Sequence, residues 1–565
     1  MIQDFRSAAC PDALVADVCI VGAGPAGISL AAALADSPWT VCLLEGGGAR
    51  GEAASQALNE GESVGPYALD PATCRLRALG GATRIWGGGC IPLSSAEMAR
   101  RDWVQDDGWP IGWDELAPYY ARAGQVCGIE PGEFEDGNYR LHRPDVADGR
   151  PGSPLDFRIS RSRPLDFGLA YRERLESAPG LQLVLHANLL RLEATPGADA
   201  VRRAVIGSID GRRGHVSARC FVLAAGGLEN ARLLLLSDDV VPQGLGNGHD
   251  LVGRYFMDHP RCRLGTFTQG EMARLAGLYS APQDRCPAPS FRQLSLSVAA
   301  QQEHHLLHAR ARPFAIERDP PEGLASLRAL RASLRLSRDR DEATRVENDL
   351  LDALDRELPQ RQVIPAAGNP GRLAMRTLRH ADDVVRAAAR KLTRRPVLDT
   401  DRVELVGYFE QTPSRDSRIT LSDRRDALGL RKIQVDWRLN ALDEASIRTA
   451  AGLIGQSLAS DFHGRFEPAG WLRDPATPLP LHGTAHHLGT TRMSDSPAGG
   501  VVDRQCRVHG IDNLFVAGSS VFPTGGWSFP TLTIVALALR LGEELRNRLP
   551  TMPMVEAHEP AASVH

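Results

Sequence analysis

The chain has 565 residues, of which 43% are hydrophobic and 24% charged, and its formal net charge is −4. This length supports several domains around a large core, and the near-balanced charge excludes a global attraction to nucleic acid. The ten cysteines are scattered with no C-x-x-C pair, no secretory leader is read before Ala16, and no apolar run is long enough to cross a bilayer. A soluble, cytoplasmic protein with no transmembrane segment is therefore expected.

The first predicted strand covers residues 18–21, apolar throughout like a central parallel strand. Gly22-Ala23-Gly24-Pro25-Ala26-Gly27 then fits G-x-G-x-x-G, a helix is predicted over 26–35, and a second strand over 40–44 ends on Glu45. Gly22 permits the turn, Gly24 lets the backbone approach a pyrophosphate, Gly27 lets the helix sit on the sheet, and Glu45 can accept hydrogen bonds from a ribose. A glycine-rich turn without a ligand leaves Glu45 without a reason. Residues 79–89, with Gly80, Gly81, Thr83, Trp86, Gly87, Gly88 and Gly89, imply backbone passing close against a large flat group.

Further along, 181–208 alternates like antiparallel strands around Leu189, and a strand over 220–225 turns at Gly226 into a helix over 229–236. Segments 260–300, 403–409 and 433–437 are predicted to form the sheet of a second domain. Its segment 322–395 is rich in arginine and leucine, with Leu324, Leu327, Leu330 and Leu334 at helical spacing, which predicts a helical cover over that domain. His304 and His308 stand at i, i+4, but no cysteine or acidic cluster accompanies them, so a surface helix is expected rather than a metal site. A last strand over 514–517 ends at Gly518-Ser519, and the final helix runs from Pro530 to about Asn547. The nucleotide region is thus assigned to 1–100, 181–259 and 481–549, a substrate region to 101–180 and 260–480, and a flexible tail to 550–565.

The segment Gly483-Thr484-Ala485-His486-His487-Leu488-Gly489 offers a proton acceptor near neutral pH, and Pro530-Thr531 presents free N–H groups to an anion. Trp109-Pro110-Ile111-Gly112-Trp113, Gly226-Gly227-Leu228-Glu229-Asn230-Ala231-Arg232, Asp250-Leu251-Val252-Gly253-Arg254 and Ser417-Arg418-Ile419-Thr420-Leu421 add further ordered motifs. Together with the glycine motif and the 79–89 loop, they make the chain resemble the glucose-methanol-choline (GMC) oxidoreductase family over most of its length except about 303–400. The resemblance implies an α/β fold: a discontinuous, doubly wound, Rossmann-like FAD-binding domain plus an antiparallel-sheet substrate domain with helices.

It also implies FAD as cofactor, held by Gly22, Gly24, Gly27, Glu45, Gly81, Thr83, Trp86, Gly87, Gly88, Leu189, Gly226, Gly518, Ser519, Pro530 and Thr531. Some members tether FAD through a histidine in the glycine-rich loop; here Arg84 and Ile85 precede Trp86, so non-covalent FAD is expected. The chain has no second dinucleotide fingerprint, so a small-molecule substrate is expected to be the reductant and oxygen or another acceptor the oxidant. The implied reaction is alcohol oxidation by hydride transfer to flavin N5 with His486 as base, and His487 points the other way along an extended segment.

One departure stands out. The residue before the Pro-Thr pair is commonly Asn or His in the family and is Phe529 here, which neither donates nor accepts. Ser528 or another residue substitutes, or an apolar or aromatic substrate packs on Phe529, or the enzyme runs another flavin reaction: oxidation at a non-alcohol centre, rearrangement or elimination. A noncatalytic flavin-binding role is disfavoured by the intact His486.

Overall fold

A computed structural model describes residues 1–130, 153–336, 341–355, 358–359, 369–392 and 399–555. The strand Ala13–Val21 alternates in exposure over its first half and is buried over most of its second. Residues 13–16 pair only with the strand Arg213–Leu223, whereas 18–21 are flanked on both sides, by Arg213–Leu223 and by Val41–Leu44. The eight-stranded sheet runs in the order Ile2–Asp4, Leu181–Leu185, Val41–Leu44, Ala13–Val21, Arg213–Leu223, Val201–Gly207, Asn188–Ala194, and Leu514–Val516 also pairs with Arg213–Leu223. Pairing is parallel from Ile2–Asp4 through to Arg213–Leu223 and Leu514–Val516, and antiparallel only in the last two ladders. Three distant chain segments therefore build one sheet. The turns after Val21 and Leu223 lie side by side at the strands' C-terminal ends, where open α/β sheets bind ligands.

Helices Pro25–Leu34 and Pro530–Arg548 pack together beside this sheet, and Trp113–Val126 packs on the latter. The helix 113–126, expected in the substrate region, belongs elsewhere. Its buried face of Leu116, Tyr120 and Ala123 joins the nucleotide core, with the Tyr120 hydroxyl 3.1 Å from Thr533 Oγ1.

The second sheet has seven strands in the order Phe466–Pro468, Arg261–Phe267, Thr400–Phe409, Ala309–Glu317, Ser290–Leu296, Leu155–Ser162 and Gly89–Cys90, all antiparallel. Its period of two divides the faces. Leu264, Ala309, Ala311 and Leu405 pack against Ile447, Ala450, Ile454 and Leu458 of the helix Ala441–Asp461, while Arg261, Arg310, Gln293 and Tyr408 point the other way. Residues 433–437 do not join this sheet. The strand Arg431–Asp436 pairs with Arg418–Arg425 and Gly61–Ser63 in a three-stranded sheet closed by the fully buried Trp437.

Within 322–395 the described helices are Glu322–Leu336, Glu342–Asp355, Pro370–Arg379 and Ala381–Leu392. The second is no cover over the substrate sheet. Val346, Leu350 and Leu354 pack on Leu76, Ala78 and Ile85, and Arg84 pairs with Glu347 at 2.9 Å, so this helix is fastened to the 79–89 loop. The helix Val298–His304 ends at His304, where His305 takes a left-handed conformation (φ 51°), so His304 and His308 share no helix face. His308 lies buried in the loop beyond. No described helix is long and apolar enough to cross a membrane. The tail assigned to 550–565 falls outside the described residues from 556 onward.

Candidate active site

A cavity of about 640 Å³ runs from the glycine turns of the parallel sheet to the free face of the antiparallel sheet. At the first end Gly22 adopts φ 105°, and a Cβ there would lie 2.7 Å from Ala224 O, so only glycine fits the turn. A Cβ on Gly24, Gly87, Gly226 or Gly518 would meet no atom within 4 Å. Their backbones therefore border open space. The helix Pro25–Leu34 has no side-chain cap, and neither has Pro530–Arg548; both begin with proline, leaving the following N–H groups free.

Glu45 is 6% exposed, and its carboxylate accepts from the amides of Ala23 (3.1 Å) and Gly47 (2.8 Å). Burial raises its pKa against the pull of those two bonds. Opposite it, Arg75 and Arg77 line the cavity and pair with Glu229 at 2.8 and 3.3 Å, and Arg232 adds a third partner at 3.0 Å. Three guanidiniums around one carboxylate, two uncapped helix starts and an open glycine floor fit a dinucleotide with an anionic pyrophosphate and an acceptor for its ribose.

Of the sequence-predicted residues, Gly22, Gly24, Glu45, Gly81, Trp86, Gly87, Leu189, Gly226, Gly518, Ser519, Pro530, Thr531, His486 and Phe529 line the cavity. Four stand behind it. A Cβ on Gly27 would lie 1.9 Å from Gly22 O, and one on Gly88 2.1 Å from the Arg163 carbonyl carbon, so both glycines serve close backbone packing. Thr83 Oγ1 donates to Gly80 O (2.6 Å) and accepts from Phe167 N (3.1 Å), fixing the loop. Ser528 is 1% exposed and donates to Glu97 (2.8 Å), which takes it out of the cavity and out of the role of substitute donor.

His486 occupies the substrate end beside Phe529, ring centroids 6.4 Å apart. Its amide donates to Asp258 Oδ1 (3.0 Å), and the residue before it, Ala485, has φ 60°. Its Nδ1 lies 3.0 Å from His259 Nδ1 and 3.2 Å from Thr484 Oγ1. The Thr484 hydroxyl lies 2.9 Å from Asp258 Oδ1, the stronger, charged acceptor for its one proton. Assigned this way, Nδ1 of His486 carries the ring proton and Nε2, which has no partner among the described residues, keeps its lone pair. Burial, then His259, Arg310, His487 and Arg261, hold the His486 pKa well below its usual value. His487 is buried with its ring 5.9 Å from Phe256, and burial takes it down to about 4.

Several residues here escaped sequence reading. Asp258, fully buried, gathers the amides of His259, Thr484 and His486 and so shapes the histidine loop. Glu97 accepts from the amides of Trp527 and Ser528 and fixes the approach to Phe529-Pro530. Arg310 lies 4.8 Å over the Phe529 ring and 3.8 Å over Tyr408. The only sequence signal for it was Ala309-Arg310-Ala311-Arg312, a period-two alternation that marks one charged strand face.

The profile of the GMC oxidoreductases matches residues 413–538, which include His486 and Phe529-Pro530-Thr531. The 6'''-hydroxyparomomycin C oxidase of Streptomyces lividus is 23% identical over 94% of this chain and 92% of its own. By the matched profile and this relative the chain resembles the GMC oxidoreductases. Among solved structures, a pyridoxine 4-oxidase from Mesorbium loti superposes with a TM-score of 0.55 at 17% identity, covering 94% of this chain and 99% of that one. A formate oxidase variant of Aspergillus oryzae, made to examine FAD modification, gives 0.56 at 16% identity over 96% and 100%. The fold of these oxidases thus covers most of the chain, and the motifs at 22–27, 226–232 and 483–489 meet around one cavity.

Proposed function

We propose that this protein uses non-covalently bound FAD to oxidise the alcohol group of a small molecule, with His486 as the base that takes the hydroxyl proton. The observation that carries this reading is a neutral imidazole with an unpartnered Nε2 at one end of a cavity whose other end suits a dinucleotide. FAD, when bound, supplies the acceptor for the hydride that leaves the hydroxyl-bearing carbon.

The protein's own groups set the rest. His259 and Thr484 hold Nδ1, so the lone pair on Nε2 keeps one direction. Burial above all, with His259, Arg310, His487 and Arg261 adding to it, keeps the ring neutral before the substrate arrives. The uncapped start at Pro530 favours negative charge at its end of the cavity, by about 0.3–1 kcal/mol for an exposed helix end and more when buried. Phe529 contributes an apolar wall and no hydrogen bond, so the proton is handled by His486 alone.

Anaerobic mixing of the FAD-loaded enzyme with a panel of alcohols tests the reading. Bleaching of the flavin is expected for a substrate, and His486→Ala should slow it by about 10²- to 10⁴-fold. Turnover without any bleaching refutes hydride transfer; bleaching at the wild-type rate in His486→Ala refutes the base.

A further inference from the structure

The charges lining the two ends of the cavity are balanced differently. At the dinucleotide end Arg75 and Arg77 share Glu229. At the substrate end Arg261, Arg310 and Arg312 line the wall, and no described carboxylate lies within salt-bridge distance of any of them. The register explains their convergence. Arg261 and Arg310 both pair with Tyr408, on its two sides, and Arg312 follows Arg310 at the two-residue period of the same strand face.

Arg310 is 5% exposed and Arg261 9% exposed, and Nε of each has no hydrogen-bond partner. Their side chains donate instead to neutral acceptors, Gln293 Oε1 at 3.2 Å for Arg310 and Leu354 O at 2.7 Å for Arg261. Burial draws the Arg310 pKa down to about 10, which leaves the guanidinium charged at neutral pH. A buried charge without a counter-ion is costly and survives where a ligand completes it. Tyr408 and Phe529 clamp the Arg310 guanidinium between two rings, which fixes its donor plane. Gly89 makes this possible, since a Cβ there would lie 2.8 Å from the Phe529 ring.

We infer that the substrate is an alcohol bearing an oxyanion group, a carboxylate or a phosphate or sulfate ester, held by Arg310 with Arg261 and Arg312. Phe529 then serves as the platform for the anion-binding guanidinium, in place of a polar partner for His486. The inference rests on the reading of this end of the cavity as the substrate site.

The test titrates the oxidised FAD-loaded enzyme with benzoate, phenyl phosphate and the neutral benzamide, following the flavin visible spectrum, so no turnover is needed. Benzoate or phenyl phosphate is expected to bind at least about 10-fold more tightly than benzamide, the scale of a charge-assisted hydrogen bond. The tighter of the two identifies the oxyanion. In Arg310→Met the preference collapses, and in Arg310→Lys, which keeps the charge without the fork, part of it returns. Arg312→Met provides a second variant at a less buried site. Binding of both benzoate and phenyl phosphate no tighter than that of benzamide by the wild type overturns the inference, as does a preference untouched in the arginine variants; arginines that serve only the flavin give this last result, with altered FAD retention. If no alcohol, neutral or anionic, bleaches the flavin, the functional reading fails while these titrations still report on the arginines.

Discussion

Replacing Glu97 by Gln probes how the start of the last helix is held. Glu97 is 1% exposed yet ionised: Arg158 lies 2.6 Å away, and Ser528 Oγ, the Ser528 and Trp527 amides, and the Ser94 amide donate to it. Burial pushes its pKa up, but Arg158, His308 and these hydrogen bonds outweigh burial and hold it at about 2 against the usual 4.5. At about 1.36 kcal/mol per pKa unit, the ionised group stabilises the fold by about 3 kcal/mol. Because the folded pKa is the lower one, this stabilisation is complete above pH 4.5 and is lost as the pH falls toward 2.

Glutamine carries no charge and turns an N–H₂ toward donors that had an oxygen. With an unfolding entropy of about 2.1 cal/mol/K per residue, the thermal midpoint of a chain of this length should fall by about 3 °C at pH 7. Calorimetry of both FAD-loaded proteins between pH 7 and pH 3 is the assay, and the gap between them should close as the wild-type carboxylate becomes protonated. Equal midpoints at pH 7, or a gap independent of pH, would refute the reasoning. Because Glu97 grips the two residues before Phe529, kcat should fall in the same variant.

With a neutral alcohol as substrate, the acid limb of kcat/KM should lie well below pH 6.5, since burial first, and then His259, Arg310, His487 and Arg261, disfavour protonation of His486; a midpoint at 6.5 or above contradicts this. Asp258→Asn places an amide donor against the amides of Thr484 and His486, and the resulting misplacement of the ring should cost on the order of 10²-fold in kcat, read by single-turnover reduction. An unchanged rate removes Asp258 as a positioning residue. Gly89→Ala drives a methyl to within 2.8 Å of the Phe529 ring, and overpacking of this kind should cost about 1–3 kcal/mol, measured by urea unfolding; a variant as stable as wild type shows that the ring moves freely.

The parallel sheet and its glycine turn were legible because their causes are local. Val18 to Val21 must be a buried strand, Gly22 must turn with positive φ, and Glu45 follows at the end of the next strand, all within one stretch of chain. The same holds for Pro530, whose ring fixes the first turn of a helix wherever it packs. His486 was legible through the order of its motif.

What the local pattern could not carry were relations between strands and side chains far apart in sequence. Ser528 looked available beside Phe529 until Glu97, 431 residues away by chain number, claimed its hydroxyl. Asp258 and His259 carry no signal of their own until the loop at 484–486 lies against them. Arg261 and Arg310 become one charged surface only because antiparallel pairing sets both beside Tyr408, and register is decided by the whole sheet. The sequence by itself therefore determined the dinucleotide turn, the helix starts and the candidate base, where short-range geometry suffices. The tertiary structure decided the charge and shape of the substrate end, because those depend on which groups burial leaves without partners.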